Sequence, residues 1–355
     1  MSELPTYFND FLSDIRPTLS QRQDCQTGHI TLRERLMSFE ELKPYIITSF
    51  IQGSIRRSTA IKPKGDDKLD VDIVVVTNLD KNKYTPLQAF NLFKPFLEKY
   101  YNGKYKAQSR SWGVELSYVD LDLVITAAPS EALNKAITGS NFIKTASVED
   151  FLVDSKVGFD ALTKDIEKWK NEPLLIPDRD LHKWQETHPL KQIEWTAQKN
   201  FNTNGNYVNV VKAIKWWRKT KFSEQKYPKS YPLEHIIGDC CPDGIKSVAE
   251  GIVSVFQNII SIFLQSILLK QVPELKDRGA KHNVLARLDF EDFEKFYKQI
   301  EGICETAKMA LSEPDAKKNA SLWYEIFGEP YPKPDNDKSY TPRSKSTLAD
   351  KGSFA

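Results

Sequence analysis

The sequence predicts an α+β protein with two lobes, in which a mixed sheet with helices is followed by an all-helical lobe. Strand patterns are confined to residues 46–126, helical patterns dominate from residue 189 onwards, and 355 residues exceed what one compact core usually requires. We expect a central cleft between the lobes to hold the functional site. The predicted divisions are a sheet lobe with N-terminal bracing helices (1–150), an inter-lobe connection (151–190), a helical lobe (191–328) and a flexible tail (329–355).

The composition indicates a folded protein of the cytoplasm. Hydrophobic residues make up 40% of the chain and charged residues 28%, which excludes a disordered or collagen-like chain. The 50 basic and 48 acidic side chains nearly balance, so we expect no stable nucleic-acid partner. Met1 is followed by neither a basic region nor an apolar run, so no secretory signal is predicted. The cysteines lack Cys-x-x-Cys spacing, which argues against a disulfide framework.

Two helical patterns precede the first strand, at residues 4–16 and 31–42. In each of them the apolar residues recur at helical spacing on one face, so we expect both helices to brace the lobes. These face residues are Phe8, Phe11, Leu12 and Ile15 in the first helix, and Leu32, Leu36 and Phe39 in the second.

A short apolar strand at residues 46–52 leads directly into Gly53 and Ser54. Glycine lets the backbone approach a ligand closely, and a serine at the start of the next turn offers a hydroxyl beside free N–H groups that attract phosphate. Gly53 and Ser54 are therefore candidate nucleotide-binding residues, although a lone Gly-Ser pair is common in proteins.

The next strand, at residues 68–77, begins with two acidic residues. Because side chains alternate along a strand, Asp70 and Asp72 point to one face while Val71 and Ile73 point to the other. Two neighbouring carboxylates in a largely buried strand are costly unless a cation neutralises them. Mg²⁺ is the expected cation, because it prefers oxygen ligands and usually shares them with substrate phosphates.

A second acidic pair follows further along the chain. Thr85 and Pro86 cap a predicted helix that extends to about residue 101. Residues 104–110 and 113–126 then form a predicted strand pair, and Asp120 and Asp122 lie on one face of its second strand. Either acid could reach the site of the first pair.

The remaining chain is mainly helical. Residues 130–190 give an irregular signal, and the predicted helices that follow are 189–200, 207–221, 231–238, 246–269, 290–311 and 320–327. The segment 252–269 is uncharged and nearly long enough to span a membrane. Its polar residues share one helical face, however, so we predict a core helix with a solvated side and no membrane partner.

The Gly-Ser turn and the acidic strands together resemble the nucleotidyltransferase superfamily, which includes DNA polymerase beta, poly(A) polymerase and oligoadenylate synthetase. The resemblance implies a polymerase-beta-like sheet lobe in which Asp70, Asp72 and a third carboxylate bind two Mg²⁺ ions, with Mn²⁺ able to substitute. Asp122 fits the third position best, and Asp120 is the second choice. One departure is visible, because Ser58-Thr59 stands where many relatives have Gly-Thr.

The helical lobe extends the resemblance. Residues 208–219 place Lys212, Lys215 and Lys219 on one side of a helix, a pattern that is ordinarily a solvated face. Ser230 and Tyr231 follow in a Ser-Tyr-x-Leu-Glu motif that resembles oligoadenylate synthetase and the cyclic dinucleotide synthases. The resemblance implies that Lys215 and Ser230 hold triphosphate oxygens and that Tyr231 stacks on a base, with core packing as the alternative role for Tyr231.

With both lobes matched, the chain resembles the bacterial CD-NTases, the cGAS/DncV-like enzymes of anti-phage CBASS defence, over about residues 30–325. Among the branches of this family, the sequence motifs of the chain are most like those of clade D. The segments that carry this likeness are Gly-Ser-Ile-Arg-Arg-Ser-Thr-Ala-Ile, Asp-Val-Asp-Ile-Val-Val-Val-Thr-Asn-Leu-Asp and Leu-Ser-Tyr-Val-Asp-Leu-Asp-Leu-Val-Ile-Thr.

The resemblance implies a Mg²⁺-dependent synthase that makes a cyclic oligonucleotide second messenger from ATP, alone or with another NTP, with cyclic tri-AMP favoured. The messenger would act on a downstream effector. A linear, template-independent RNA nucleotidyltransferase and a catalytically silent nucleotide-binding scaffold remain alternatives. Family members are often encoded beside ubiquitin-transfer-like proteins, so we also expect such a partner to act on Ala355, with Phe354 as an anchoring side chain.

Overall fold

The computed structural model describes residues 5–130 and 172–333. In chain order, the first elements are α1 (Pro5–Ile15), α2 (Leu19–Met37), β1 (Ile46–Gln52), α3 (Gly53–Arg56), β2 (Asp70–Thr77), α4 (Pro86–Leu92), α5 (Lys94–Tyr101), β3 (Tyr105–Ala107), β4 (Trp112–Glu115), β5 (Asp120–Ala127), β6 (Leu174–Asp178) and β7 (Lys183–Thr187). Helices then follow: α6 (Pro189–Asn202), α7 (Tyr207–Lys221), α8 (Ser230–Cys240), α9 (Val248–Leu268), α10 (Phe290–Ser312) and α11 (Ala316–Phe327).

The strands form one mixed sheet in the order β1-β2-β5-β4-β3, and β6 pairs with both β5 and β7. The β2–β5 pair is parallel, whereas the other pairs are antiparallel. The two parallel strands lie inside the sheet, and their apolar residues are almost completely buried. The predicted α+β class is confirmed.

Each lobe has its own hydrophobic core. One cluster joins α2, α5 and the sheet, and a larger one joins α7 to α11. Although α1 comes first in the chain, it belongs to the helical core, where the rings of Phe11 and Phe327 lie 4.6 Å apart. α2 instead packs on the sheet, where Gly28 leaves room for Val119, since a Cβ at Gly28 would lie 2.7 Å from Val119 Cγ1.

Three secondary-structure predictions were wrong in their extent. α2 begins at Leu19 rather than residue 31, because Thr18 and Gln21 form a capping box. The predicted helix 86–101 breaks at Phe93, because Pro95 cannot continue the hydrogen-bond ladder of α4. The predicted strand 113–126 is two antiparallel strands, since the Leu116 N–H donates to the Val119 carbonyl (3.0 Å) and reverses the chain.

The predicted connection and tail also differ from the structure. Residues 174–187 form the hairpin β6–β7 of the sheet rather than an irregular connection, because each strand satisfies the backbone groups of the other. The rest of that segment, up to residue 171, lies outside the described residues. Tyr331, inside the predicted tail, is only 1% exposed and packs on Phe327. Phe354 and Ala355 also lie outside the described residues.

Within the described ranges, α9 is the helix that is long and apolar enough to cross a membrane by length and composition. Its apolar face, including Ile252, Phe256 and Phe263, is buried in the helical core. The predicted polar face is more open to solvent, and Asn258 on it donates to the Cys240 carbonyl at 2.8 Å. This pattern is that of a core helix with one solvated side.

Two buried carboxylates connect the lobes. Asp178 on β6 accepts from Arg110 Nε in the β3–β4 turn (2.8 Å) and from Arg287 in the helical lobe (3.0 Å). Glu234 on α8 accepts from Arg57, which follows α3, at 3.1 Å. The ion pair of Glu234 with Arg57 therefore joins the two lobes beside the Gly-Ser turn.

Candidate active site

The acidic residues of β2 and β5 are brought together by parallel pairing. Asp70 is paired with Asp120, and Asp72 with Asp122. Directly paired residues of adjacent strands point to the same face, so all four carboxylates lie on one side of the sheet. The intervening apolar residues of both strands are buried on the opposite side. The predicted set Asp70, Asp72 and Asp122 therefore shares one face.

The carboxylates repel one another. Desolvation and repulsion by Asp72 and Asp122 raise the pKa of Asp70 to about 8, although the Asp70 side chain is exposed to solvent. Desolvation and the Asp72 charge raise the pKa of Asp122 to about 7, and desolvation also raises that of Asp72. Such a set of oxygen ligands fits a divalent cation, which would replace repulsion by attraction.

The carboxylates are nevertheless not gathered as a ready-made metal-ligand group. Within residues 5–130 and 172–333, no three His, Cys, Asp or Glu side chains meet the distances of a metal site. Asp72 lies over Gly53, because a Cβ added at Gly53 would be 1.8 Å from Asp72 Oδ2.

The two candidates for the third acid differ in their partners. Asp122 Oδ1 accepts from Gln108 Nε2 at 2.9 Å, and the Ser111 hydroxyl donates to Gln108 Oε1 at 2.7 Å. Asp120 instead forms an ion pair with Lys68 at 2.8 Å. The contact with Ser111 fixes the amide of Gln108 so that its N–H group faces Asp122. Sequence reasoning missed Gln108, whose location in a short hairpin gave no local signal.

The Gly-Ser turn requires glycine for two reasons. Gly53 has φ +74°, a conformation that L side chains rarely adopt, and Asp72 fills the space that a Cβ would need. After α3 the chain folds back, and the Thr59 and Ala60 N–H groups donate to the Ser54 carbonyl at 2.9 and 3.1 Å. Gly53 thus allows Asp72 and the turn to approach each other closely.

Ser58 stands where many relatives have the glycine of a Gly-Thr pair, and its backbone adopts a conformation typical of glycine. Its φ is +56°, in the left-handed region that glycine adopts at little cost. The residues on both sides are held from the helical lobe, since Arg57 Nε and the Thr59 hydroxyl both donate to Glu234. The contacts of Arg57 and Thr59 with Glu234 therefore hold Ser58 in its strained conformation.

A cavity of about 240 Å³ lies beside the acidic face and is lined from both lobes. Of the predicted nucleotide-binding residues, Ser54, Lys215 and Ser230 line it. Gly53 and Tyr231 are adjacent in sequence to Ser54 and Ser230, but they are not part of the cavity lining. The lining also includes cations that sequence reasoning did not select as site residues: Lys68, Arg218 and Lys219.

Tyr231 has its own partners beside the cavity. Its hydroxyl donates to Asp277 Oδ2 at 2.5 Å, and the Arg57 guanidinium lies over its ring, 5.2 Å from the centroid. Burial, with the Asp277 charge, raises the pKa of this phenol. Arg57 therefore covers one face of the ring, and a base could stack only on the other.

Lys215 is a buried cation that faces the cavity. It is 8% exposed, and its ammonium donates to the Thr59 carbonyl (3.0 Å) and to Glu234 Oε1 (2.9 Å). Burial alone would raise the pKa of Glu234, but Arg57 and Lys215 outweigh it and hold that pKa below its usual range. Lys215 of the helical lobe is thus bonded directly to the turn that follows Gly53 and Ser54.

Comparisons with known proteins identify relatives that match almost the whole chain. Residues 1–140 match the model of the Second Messenger Oligonucleotide or Dinucleotide Synthetase domain. The chain is 43% identical over 380 residues to the cyclic AMP-AMP-GMP synthase of Enterobacter hormaechei subsp. hoffmannii (strain UCI 50), covering 99% of this chain and 100% of the relative. It is 44% identical to a probable cyclic AMP-AMP-GMP nucleotide synthase of Salmonella paratyphi B, covering 94% and 93%.

The fold is also similar to that of solved structures. The Bradyrhizobium diazoefficiens CD-NTase CdnG in complex with GTP superimposes with a TM-score of 0.68. The match covers 93% of this chain and 96% of that one, at 12% sequence identity. At this identity the likeness concerns the fold alone.

Proposed function

Because the chain belongs to the cGAS/DncV-like nucleotidyltransferases, or CD-NTases, we propose that it joins nucleoside triphosphates into a cyclic oligonucleotide. The observation that carries the proposal is the acidic face of β2 and β5, whose member Asp70 lines a cavity together with Ser54 from one lobe and Lys215 and Ser230 from the other. The same three residues can hold a triphosphate while an acceptor ribose approaches the carboxylates.

We further propose a cyclic trinucleotide of two AMP units and one GMP unit, made from ATP and GTP. Two relatives at 43% and 44% identity carry the name of that activity. Cyclic tri-AMP, which the sequence resemblance favoured, is the alternative product. The clade D assignment and the role in anti-phage defence stay part of this proposal.

Each bond would form by nucleotidyl transfer. The acceptor ribose oxygen attacks the α-phosphorus of the donor, the bond to the β-phosphate breaks, and pyrophosphate leaves. Asp70, Asp72 and Asp122 would hold two Mg²⁺ ions, for which Mn²⁺ can substitute. The bound metal would lower the pKa of the attacking hydroxyl and stabilise the negative charge of the leaving pyrophosphate. Among the three ligands, Asp122 would contribute mainly to the acidity of the attacking hydroxyl, whose proton would be released to solvent.

The remaining residues would bind and orient the substrates. The hydroxyls of Ser54 and Ser230 and the ammonium of Lys215 can donate to phosphate oxygens, and a base would stack on the ring face of Tyr231 opposite Arg57. Gly53 contributes by letting Asp72 approach the turn. Sequestration between two lobes would exclude water from the α-phosphorus. The division into a sheet lobe that includes hairpin β6–β7 and a helical lobe that includes α1 belongs to the same proposal.

The alternatives are a linear RNA nucleotidyltransferase and a silent scaffold. Incubation of the protein with labelled ATP and GTP and Mg²⁺, followed by phosphatase, separates them, because a cyclic product has no terminal phosphate to lose. We expect a phosphatase-resistant trinucleotide from the mixture. A ladder of phosphatase-sensitive products would support the linear enzyme, and nucleotide binding without any product would support the scaffold. ATP alone tests cyclic tri-AMP.

The partners beyond nucleotides stay predictions. A downstream effector would be reached through the product rather than by contact. A ubiquitin-transfer-like protein acting on Ala355 concerns residues outside the described part of the chain. The cytoplasmic location likewise rests on the sequence patterns alone.

A further inference from the structure

Glu234 lies at the centre of a buried polar network that the predicted reaction does not use directly. Its side chain is 5% exposed and accepts three hydrogen bonds. Oε1 accepts from Lys215 Nζ and from the Thr59 hydroxyl, both at 2.9 Å, and Oε2 accepts from Arg57 Nε at 3.1 Å. One carboxylate therefore contacts two residues of the phosphate-binding turn and one residue of α7.

The network fixes the turn on both sides of its strained residue. Ser58 has φ +56°, and its neighbours Arg57 and Thr59 are the two turn residues that Glu234 holds. Thr59 also donates its N–H to the Ser54 carbonyl, so a shift at Thr59 would move the backbone of Ser54. Such strain persists only where the surroundings define the backbone.

The network also sets the direction of two functional groups. Two of the three N–H donors of Lys215 are used by Glu234 Oε1 and the Thr59 carbonyl, which leaves one donor for a ligand in the cavity. The Arg57 side chain that Glu234 holds is the one that lies over the ring of Tyr231. The predicted phosphate contact and the predicted base contact thus depend on the same carboxylate.

We propose that Glu234 is a positioning residue for nucleotide binding, which holds Lys215 and the 57–59 turn of the opposite lobe in the arrangement that receives the donor triphosphate. This inference rests on the proposed function for the identity of the ligand. It does not require Glu234 to touch the nucleotide. It predicts that the effect of Glu234 on nucleotide affinity is transmitted through Lys215 and the turn.

The main test compares Glu234→Gln with Asp239→Asn. Asp239 lies on the same helix and forms a partly buried pair with Arg278 at 2.5 Å, but it contacts no cavity-lining residue named above. We expect Glu234→Gln to weaken binding of α,β-methylene-ATP with Mg²⁺ by about tenfold or more, since one donor triphosphate contact and the turn are both displaced. Asp239→Asn should change this affinity by less than about twofold, because the partners of Asp239 are Arg278 and His235 rather than Lys215 or the 57–59 turn.

A double variant tests the transmission through Lys215. Glu234→Gln removes the negative charge that neutralises the buried cations Arg57 and Lys215, so this single variant is expected to lose stability. Lys215→Met/Glu234→Gln removes one charge of each sign and keeps the net charge of the network at its native value. If Glu234 acts partly through Lys215, the double variant should bind α,β-methylene-ATP more tightly than expected from the sum of the free-energy losses of the two single variants. If the free-energy losses of the two single variants add fully in the double variant, transmission through Lys215 is refuted.

A measurement without nucleotide separates this inference from the proposed function. Hydrogen–deuterium exchange at the Thr59 and Ala60 amides should accelerate by about tenfold or more in Glu234→Gln and in the milder Thr59→Val, which keeps both charges paired. Asp239→Asn should leave these amides unchanged. Native exchange and native affinity in Glu234→Gln would overturn the inference, as would equal loss of affinity in Asp239→Asn. Failure of the wild type to form a cyclic product would overturn only the proposed function.

Discussion

Asp72 on β2 and Asp122 on β5 are direct partners in a parallel pair of strands, although the β3–β4 hairpin lies between them in the sequence. The hairpin that returns the chain also supplies Gln108, which donates to Asp122. The strand pairing that assembles the acidic face therefore also provides the group that orients one of its members.

The first prediction concerns the acidic face. Asp70→Asn/Asp72→Asn should abolish synthesis, because two of the three proposed metal ligands are lost, while raising the Tm of the metal-free protein at about pH 8, because repulsion is removed. The pKa of Asp70 is raised from 3.8 to about 8 on folding, so the folded state binds the proton more tightly. The destabilisation by this ionised group is complete above about pH 8 and disappears below about pH 4.

The advantage in Tm of this double variant should therefore be largest above about pH 8 and shrink as the pH falls towards about 4. Thermal unfolding in a chelating buffer measures it. Added Mg²⁺ should raise the Tm of the wild type and leave that of the variant unchanged. Near-normal synthesis, or a lower Tm of the variant at high pH, would refute the assignment.

The second prediction concerns Gln108. Gln108→Leu should lower the rate of product formation by about 10- to 100-fold, as replacements of groups that orient metal ligands commonly do. Affinity for α,β-methylene-ATP should be retained, because Gln108 contacts Asp122 and Ser111 rather than the phosphate-binding residues. Gln198→Leu, on the exposed side of α6, is the matched control. A loss of affinity without a loss of rate would contradict this role.

The third prediction concerns the conformation of Ser58. Ser58→Gly should preserve or raise stability, whereas Ser58→Val should lower it by about 1 to 2 kcal/mol or more, because a β-branched side chain is strained at φ +56°. Urea denaturation measures both variants at equal protein concentration. Indistinguishable unfolding midpoints for glycine and valine would show that the left-handed conformation is not maintained in solution.

The fourth prediction concerns Tyr231. Tyr231→Ala should weaken nucleotide binding by about 5- to 150-fold for any base, which corresponds to the 1 to 3 kcal/mol of base–aromatic stacking. Tyr231→Phe should have a small effect, because Asp277 keeps its bonds from Gln192 and from the Gly279 N–H group. Equilibrium binding of ATP and GTP analogues measures both variants. Equal damage in the two variants would assign the role to the hydroxyl and exclude stacking.

Local patterns predicted many of the elements but few of their ends. A short apolar run predicted β1, alternation predicted the acidic start of β2, and the Thr85 cap predicted the start of α4. The β4–β5 reversal escaped prediction, because the residues between Gly113 and Thr126 read equally well as one long strand. Hairpin β6–β7 joins the sheet through the pairing of Leu175 with Ala127 of β5, a contact between distant segments that local patterns do not reveal.

The sequence by itself determined the chemical groups: a glycine before a serine, acids at alternate strand positions, and a lysine helix before Ser230 and Tyr231. These signals are local, because strand alternation and turn chemistry depend on neighbouring residues. Only the tertiary structure decided which groups meet: Gln108 with Asp122, Lys68 with Asp120, and Glu234 with Arg57 and Lys215. Such partners come from segments far apart in the chain, and strand pairing and lobe packing bring them within hydrogen-bond distance only after folding.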